Sequence, residues 1–321
     1  MLPNKFCYAV LVVAFLITSI TALNAQKVRR EVAVTFDDLP FVSTNRDFEF
    51  RKQMTGKLLT TLKTNQIPVI GFVNERQLYV DDKLDQKWVG LLREWLNAGM
   101  DLGNHTFAHH SLNSYPLSNY EAEVVRGEMV TRQLLKEKGK QLKYFRHPFL
   151  QTGRSLEIKS QFENFLKQHG YQVAPVTIDN SEWIFARAYD NARDANDSVA
   201  MKQVADAYVP YMEAKFAFYE NQSQKLFGRT IKHVLLVHAN AINADHFGDI
   251  ISMLQKRGYE FTTLRDALTD EAYSSDDKYI GPAGITWIDR WAFTRGVPKD
   301  FFNGEPRTPG FIMQLAHVDS E

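Results

Sequence analysis

The hydrophobic pattern of the chain changes its period repeatedly between Arg30 and about Leu268. Short apolar runs, typical of buried strands, alternate with longer stretches that repeat apolar positions at helical spacing. The predicted strands are residues 31–36, 67–73, 100–103, 143–146, 172–178, 234–237 and 260–262. The predicted helices between them include residues 51–64, 86–98, 118–138, 155–169 and 246–257. This alternation predicts an α/β fold with a mainly parallel sheet, and about seven strands at this spacing favour a distorted (β/α) barrel.

A long helical segment and an irregular tail interrupt this regular pattern. Residues 199–227 predict a helix with one apolar stripe, formed by Val204, Tyr208, Met212, Phe216 and Tyr219. We interpret the stripe as core packing, and we expect Pro210 to kink this helix or to begin a new one. The tail after Asp270 is rich in glycine, proline and aromatic residues. We expect it to cover the barrel as a strap, with a substrate-facing lid as the alternative.

The N-terminal segment has the features of an export signal. Lys5 precedes an unbroken apolar run at residues 6–17, and small and polar residues follow as far as Ala25. The run is shorter than the about 20 residues that a membrane-spanning helix needs. We therefore expect a secretory signal peptide cleaved after Ala25, and a periplasmic or secreted protein, with an uncleaved anchor as the alternative. Cys7 is the only cysteine, so the mature protein would have no disulfide and no cysteine-ligated zinc.

Composition and charge narrow the class of protein further. The chain has 321 residues, of which 44% are hydrophobic and 24% charged. These values exclude a largely disordered or fibrous chain. Lys and Arg number 38, as do Asp and Glu, so the formal net charge is zero. Proteins that hold nucleic acid through its phosphates are usually basic, and we therefore expect no nucleic-acid partner.

Polar clusters follow five of the predicted strands at the point where each strand ends. The clusters are Asp37 with Asp38, Asn104 and His105 with His109, Arg146 with His147 and Pro148, Asp179 with Glu182 and Trp183, and His238 with Asn240. The carboxyl ends of parallel barrel strands open onto one face, which holds the active site in such folds. The pattern therefore predicts one polar site built from five segments.

The histidines and aspartates of these clusters are typical ligands of a divalent metal ion. His105 and His109 are four residues apart and would face the same side of a helical turn. Two histidines and one aspartate leave positions for water, as in an open catalytic site. Either Asp37 or Asp38 would bind the ion while the other takes a proton from water. Both reach one site only if the strand breaks there, which the proline that soon follows favours. His110 is the alternative ligand if the turn is not helical.

The remaining clusters supply residues for proton transfer and for an apolar wall. Arg146 would hold a catalytic carboxylate in its charged form, and His238 is placed as a general acid for a leaving group. Glu182 or Asp179 would pair with His238 and keep it cationic until the proton is needed. Trp183 would form an apolar wall against which a sugar stacks.

Five segments in order resemble the motifs of the polysaccharide deacetylase family, the NodB-homology group of carbohydrate esterase family 4. They are TFDDLP at 35–40, HTFAH at 105–109, RHPF at 146–149, DNSEW at 179–183 and LVH at 236–238. The resemblance implies a NodB-like distorted barrel, related to the TIM barrel, that hydrolyses N-acetyl groups on a sugar. It implies a divalent ion, usually Zn²⁺, with Co²⁺, Fe²⁺, Mn²⁺ or Ni²⁺ as alternatives. It also implies a deacetylase domain at 26–270, with a helical insertion at 184–233, between the signal peptide at 1–25 and an extension at 271–321.

The resemblance also implies a role for each residue of the site. Asp37 would be the general base, oriented by Arg146, and His238 the acid that protonates the leaving amine, tuned by Glu182. The metal ligands would be Asp38, His105 and His109, and the substrate contacts Trp183, Leu236, Pro148 and Phe149, with Leu236 lining the pocket for the acetyl methyl. Glu182 stands where the family usually has aspartate, and Phe149 where it often has tyrosine.

The leading hypothesis is an exported, metal-dependent deacetylase of an N-acetylated glycan, namely peptidoglycan, a chitin-like oligomer or an exopolysaccharide. Two alternatives use the same barrel: an O-acetyl esterase of the xylan type and a hydrolase of small amides. The set of acid and base residues favours amide cleavage. Two alternatives of another class are a non-catalytic glycan-binding protein and an envelope assembly partner that docks through the helix at 199–227. The oligomeric state stays open.

Overall fold

The computed structural model describes residues 30–321, and the predicted signal peptide at residues 1–25 lies outside this range. Within the described range, no helix is both long enough and apolar enough to cross a membrane.

A sheet of seven strands, all paired in parallel, forms the centre of the molecule. Its strands are β1 (Arg30–Leu39), β2 (Val69–Val73), β5 (Asp101–Asn104), β6 (Tyr144–Phe145), β7 (Gln172–Val173), β8 (His233–His238) and β9 (Tyr259–Phe261). A separate antiparallel hairpin consists of β3 (Tyr79–Val80) and β4 (Lys83–Leu84). The sequence predicts all seven central strands but not this hairpin, because strands of two residues carry almost no periodicity.

The sheet curls into a distorted barrel. Its strand order is β7-β6-β5-β2-β1-β8, and β9 pairs with the start of β1. The chain leaving β7 then reaches the opposite edge, where Ile178 pairs with Leu235 of β8. The Ile178 N–H donates to the Val234 carbonyl at 3.0 Å, and the Leu236 N–H donates to the Ile178 carbonyl at 3.2 Å. Residues 172–178 therefore contact both edges of the sheet, and the predicted barrel is confirmed.

Helices cover the outside of this sheet. In the described range they are α1 (Phe48–Thr64), α2 (Gln86–Asn97), α3 (Leu117–Arg126), α4 (Met129–Glu137), α5 (Leu156–Gln168), α6 (Glu182–Asp194), α7 (Ser198–Phe227), α8 (Ala241–Lys256), α9 (Leu264–Ala267), α10 (Trp287–Arg295) and α11 (Gly310–Ala316). Short 3₁₀ turns lie at Glu75–Leu78, Pro148–Leu150, Glu271–Ser274 and Lys299–Phe302. The side chains of Asp47, Asp85 and Ser155 accept hydrogen bonds from first-turn N–H groups and so set the starts of α1, α2 and α5.

The first strand is buried on both faces, which explains its unbroken apolar run. Val32, Val34 and Phe36 are at most 1% exposed. The Phe36 ring packs at 5.5 Å from the Trp95 ring of α2 and at 5.3 Å from the Phe247 ring of α8. This packing anchors the end of β1, and with it the two aspartates that follow, between helices on one side of the barrel.

Two helix predictions are corrected in detail. The single helix predicted at 118–138 is divided into α3 and α4 around Gly127. A Cβ atom on Gly127 would lie 2.4 Å from the carbonyl carbon of Thr106, so only glycine allows that neighbouring loop to approach so closely. In contrast, Pro210 begins no new helix, because α7 continues through it as one helix of 30 residues, and the predicted kink stays a prediction. Pro210 is exposed, so water can satisfy the carbonyl that loses its helical partner.

The apolar stripe of α7 packs into the core, as predicted, because all five of its side chains are buried. A buried stripe leaves no apolar surface there for an envelope partner. The segment after Asp270 also packs on the barrel. The Trp287 N–H donates to the Val176 carbonyl at 2.7 Å, and the buried Trp291 ring lies 5.6 Å from the Phe227 ring of α7. The division of the chain into domains stays a prediction.

Candidate active site

The adjacent aspartates at the end of β1 face the same site because the strand is irregular there. The pairing of β1 with β2 shifts register between Phe36 and Leu39. Asp38 adopts a φ of 59°, a left-handed conformation that is uncommon outside glycine. The alternation of a regular strand is thereby broken, as the sequence predicts, although the irregularity lies at Asp38 itself rather than at the following proline.

Asp38, His105 and His109 form a cluster that could hold a metal ion. Asp38 Oδ1 lies 3.4 Å from His109 Nε2 and 3.6 Å from His105 Nε2. Ligands placed tetrahedrally around zinc at about 2.1 Å are about 3.4 Å apart, so these spacings fit. Asp38 Oδ1 is also buried without a hydrogen-bond donor in the described part of the chain. The three residues therefore fit a divalent ion.

Both histidines present a neutral nitrogen to this cluster. The ring Nδ1 of His105 lies 2.8 Å from the Arg146 carbonyl, which accepts its proton and leaves Nε2 free as a ligand. Burial lowers the pKa of His105 to about 4 and that of His109 also to about 4. Neutral imidazole is the form that binds metal.

The local backbone at these histidines differs from the prediction. Residues 105–109 form no helical turn. Thr106 and His109 instead have φ values of 65° and 57°. This loop turns His109 into the cluster, while His110 stacks on the Tyr115 ring at 4.2 Å. The predicted ligand pair thus comes together through an irregular loop, and His110 stays outside it.

Asn104 and Glu123, to which the sequence analysis assigned no role, hold this loop. The Asn104 side chain accepts the Thr106 N–H at 2.8 Å. Glu123 of α3 accepts the Phe107 N–H at 3.0 Å through its carbonyl and the Ala108 N–H at 2.9 Å through its carboxylate. Of these two residues, only Asn104 could have been found from the sequence, because it stands at a strand end next to the candidate ligand His105.

Asp37 lies beside the cluster and against a buried arginine. Its carboxylate is 3% exposed, and Oδ2 lies 3.4 Å from Arg146 Nη1 and 3.8 Å from His105 Nε2. Arg146 also donates to the Thr35 hydroxyl at 2.9 Å and lies over the Phe72 ring. Burial lowers the pKa of Arg146, and the charge of Asp37 opposes this effect. Arg146 is therefore positioned to orient the Asp37 carboxylate.

His238 lines the same cleft as the cluster, and its register partner on β1 is Asp37. Its Nδ1 lies 2.9 Å from Glu182 Oε2. The other carboxylate oxygen of Glu182 accepts from the side-chain amides of Asn240 and Asn243, the latter at 2.7 Å. Burial alone would lower the pKa of His238, but the hydrogen bond and the charge of Glu182 outweigh it and raise the pKa to about 9.

The structure therefore distinguishes between the two carboxylates that the sequence leaves open. Glu182 contacts His238, whereas Asp179 accepts the Asn180 N–H at 2.8 Å. Asn243 is a new member of the site, and Asn240, named in the sequence only as part of a polar cluster, is shown to contact Glu182. Asn240 is also the N-cap of α8. A polar residue shortly after an apolar strand can indicate such a helix start in a sequence.

A cleft of about 830 Å³ connects these groups and opens at the carboxyl ends of the strands. Leu236 lines it, as do the exposed rings of Phe149 and Trp183. Pro148 is buried and does not line the cleft, which differs from its predicted contact with substrate. Arg146 and Glu182 lie behind the cleft wall, where they contact Asp37 and His238.

The extension at 271–321 also contributes to this wall. Gly284 lies so close to the Phe149 carbonyl that a Cβ atom there would be 1.7 Å from the oxygen. Phe149 itself has a φ of 56°. Asn113 and Gln151 donate to the carbonyl of Pro282, at 3.2 and 3.0 Å. These contacts fix the strap beside Phe149 and therefore beside the metal cluster.

Comparison with known proteins agrees with this arrangement. Residues 24–174 match the family described as polysaccharide deacetylase. Over these residues, slightly less than half of the chain, the protein is similar to the polysaccharide deacetylase family. The match includes the two aspartates, the metal cluster and Arg146, whereas Glu182 and His238 lie beyond it.

Individual relatives of this family are distant. The peptidoglycan-N-acetylglucosamine deacetylase of Bacillus cereus is 24% identical over 155 residues, which are 48% of this chain and 47% of that protein. The chain thus spans about half the length of this curated relative. A solved mutant of the CE4 family pseudoenzyme BA3943 of Bacillus anthracis, with restored enzymatic activity, has a TM-score of 0.51 at 12% identity. It covers 75% of this chain and 68% of that one, and it supports the barrel fold. The chitin deacetylase of Colletotrichum lindemuthianum has a TM-score of 0.49 at 21% identity, over 76% and 89% of the two chains.

Proposed function

We propose that the protein is an exported, metal-dependent deacetylase that hydrolyses N-acetyl groups of a glycan. One observation carries the proposal: Asp37 and His238 occupy paired positions on β1 and β8 and line the same cleft as the Asp38-His105-His109 cluster. A base and a proton donor beside a metal site are what hydrolysis of an amide needs. The family match supports the same reaction class.

The residues of the cleft have separate tasks in this proposal. Asp38, His105 and His109 would hold the ion, which when bound would polarise the acetyl carbonyl and lower the pKa of a water molecule. Asp37 takes the proton from the attacking water, and the adjacent Arg146 guanidinium orients its carboxylate. The fit of the cluster favours Zn²⁺, because two histidines and one carboxylate around an open position are typical of catalytic zinc.

Bond cleavage in an amide requires a proton at the leaving nitrogen. His238 stays protonated at neutral pH, because the Glu182 carboxylate raises its pKa to about 9. It therefore delivers the proton to the nitrogen as the carbon–nitrogen bond breaks. An ester releases an alcohol and needs less acid assistance, so this pairing favours N-acetyl over O-acetyl substrates. Leu236 at the cleft wall would contact the acetyl methyl.

The test is acetate release by the purified protein loaded with Zn²⁺, with Co²⁺ or with no metal. The substrates are N-acetylglucosamine oligomers, peptidoglycan and acetylated xylan. We expect metal-dependent acetate from an N-acetyl substrate. Release from xylan alone would replace the proposal with an esterase, and no release despite bound metal would support a binding protein.

Two variants separate the roles of base and ligand in the same assay. Asp37→Ala should retain metal and lose turnover, because Asp37 lies outside the three-residue cluster. His105→Ala should lose both metal and turnover. Equal metal loss in the two variants, measured by elemental analysis, would contradict these assignments.

A further inference from the structure

One cation in the cleft has no task in the proposed reaction. Arg187 lines the same cleft as the metal cluster, from an exposed position on α6. Among residues 30–321 its guanidinium has neither a hydrogen-bond acceptor nor an ion-pair partner. An arginine of this kind carries five unused donors into the cleft.

Carboxylates that share the cleft with Arg187 are bonded to other groups. Asp190, less than one turn further along α6, is buried and accepts from Arg193 Nη2 at 2.7 Å and from the Ser43 hydroxyl at 2.6 Å. Glu321 accepts the Thr308 N–H. Asp37 and Asp38 belong to the catalytic groups described above, and Asp179 accepts the Asn180 N–H at 2.8 Å. Arg187 therefore remains available to a charged group that enters with the substrate.

The position of Arg187 places it next to a sugar-binding surface. Trp183 precedes it by four residues on α6, and side chains at this spacing lie about 5–6 Å apart on the same helix face. Trp183 is 43% exposed and lines the cleft. A sugar ring stacked on Trp183 would thus bring a substituent to the guanidinium. Guanidinium groups bind carboxylates through two parallel hydrogen bonds.

We infer that Arg187 selects glycans that carry a carboxylate on, or next to, the sugar that packs on Trp183. The inference rests on the proposed function for the type of substrate, and it adds a preference among the candidate polymers. Peptidoglycan carries carboxylates on its stem peptides and on lactyl groups that bear no peptide, whereas chitin has none. The protein should therefore act on an acidic glycan.

The experiment compares two ligands that differ only in charge. One is a short oligosaccharide of alternating N-acetylglucosamine and N-acetylmuramic acid, and the other is the same molecule with its lactyl carboxylates converted to amides. Affinities are measured by titration calorimetry in the zinc-loaded Asp37→Ala protein, where turnover does not interfere. The variants are Arg187→Gln and, as a matched control, Arg154→Gln, which removes an exposed arginine that does not line the cleft.

With Arg187 present, we expect the acidic ligand to bind about tenfold more tightly than the amide. Arg187→Gln should remove this preference while leaving affinity for the amide within about twofold, and Arg154→Gln should keep the preference. Equal binding of both ligands with Arg187 present, or a preference that survives in Arg187→Gln, would overturn the inference. Failure of the proposed function is a separate outcome, namely no acetate from any substrate with the wild-type protein.

Discussion

Replacing Glu182 by glutamine should convert His238 from a cation into a neutral imidazole at pH 7. The substitution keeps an oxygen to accept the amides of Asn240 and Asn243, and it removes the charge that faces His238 Nδ1 at 2.9 Å. The burial that lowers the pKa of His238 would then be opposed only by the charges of Asp38 and Asp37, whose effects are smaller than that of Glu182. The pKa should fall from about 9 to its ordinary value of 6.5 or lower. A fall of this size corresponds to about 3 kcal/mol of lost stabilisation of the protonated form.

The assay is an NMR titration of the His238 ring protons between pH 5 and 10, in the wild type, in Glu182→Gln and in Asp179→Asn. Asp179 is the matched control because its carboxylate lines the same cleft and bonds to the Asn180 N–H instead. The control should move the midpoint much less than Glu182→Gln. As the pH rises, turnover of an N-acetyl substrate should decline at a lower pH in Glu182→Gln than in the wild type. The reason is that His238 loses the required proton at a lower pH in the variant.

The same pair makes a pH-dependent contribution to folding stability. Because the folded pKa of His238 lies above the unfolded value, this contribution is present in full below pH 6.5 and is lost as the pH rises through about 9. Urea unfolding should therefore show a larger difference between the wild type and Glu182→Gln at pH 6 than at pH 10. The reasoning would be refuted if His238 titrated with a midpoint near pH 6.5 in both proteins and the difference in unfolding free energy between them were the same at pH 6 and pH 10.

Two further predictions concern the metal loop. Gly127→Ala should destabilise the fold by about 1–3 kcal/mol and weaken zinc binding, because its Cβ would lie 2.4 Å from the Thr106 backbone. Its control, Gly56→Ala in α1, meets no atom within 4 Å and should be neutral or more stable in urea unfolding, so equal losses would contradict the explanation. Zn²⁺ at about 100 times its dissociation constant should raise the free energy of unfolding by about 2.7 kcal/mol. Thermal unfolding should show this gain lost in His109→Ala and kept in His110→Ala, and a gain kept in both would remove His109 from the cluster.

The fold was largely predictable because its strands and helices are amphipathic or fully buried. The apolar run of β1 and the stripe of α7 are local patterns, and burial in the barrel matches them. Gly127 is a position at which the local sequence pattern predicts the wrong structure, namely one continuous helix. Its neighbours are helical in character, and the break there follows from the approach of Thr106, 21 positions earlier in the chain.

The sequence predicted which residues form the candidate site better than it predicted how they are arranged. Polar residues after apolar strands indicate a shared face, because every strand of a parallel barrel ends there. Which nitrogen of His105 faces the cluster, and whether Glu182 or Asp179 contacts His238, depends on side-chain contacts between distant segments. The free guanidinium of Arg187 has no signature in the sequence at all.

The sequence by itself determined the order of the seven central strands and of most helices between them, the five polar segments and the identities of the groups able to bind metal and transfer protons. These are properties of residue type and spacing, which are local. Only the tertiary structure decided the left-handed turns at Asp38 and His109, the closure of the barrel through residues 172–178 and the strap beside Phe149. Each of these depends on groups far apart in the chain, whose distances and burial arise only when the barrel closes and excludes water.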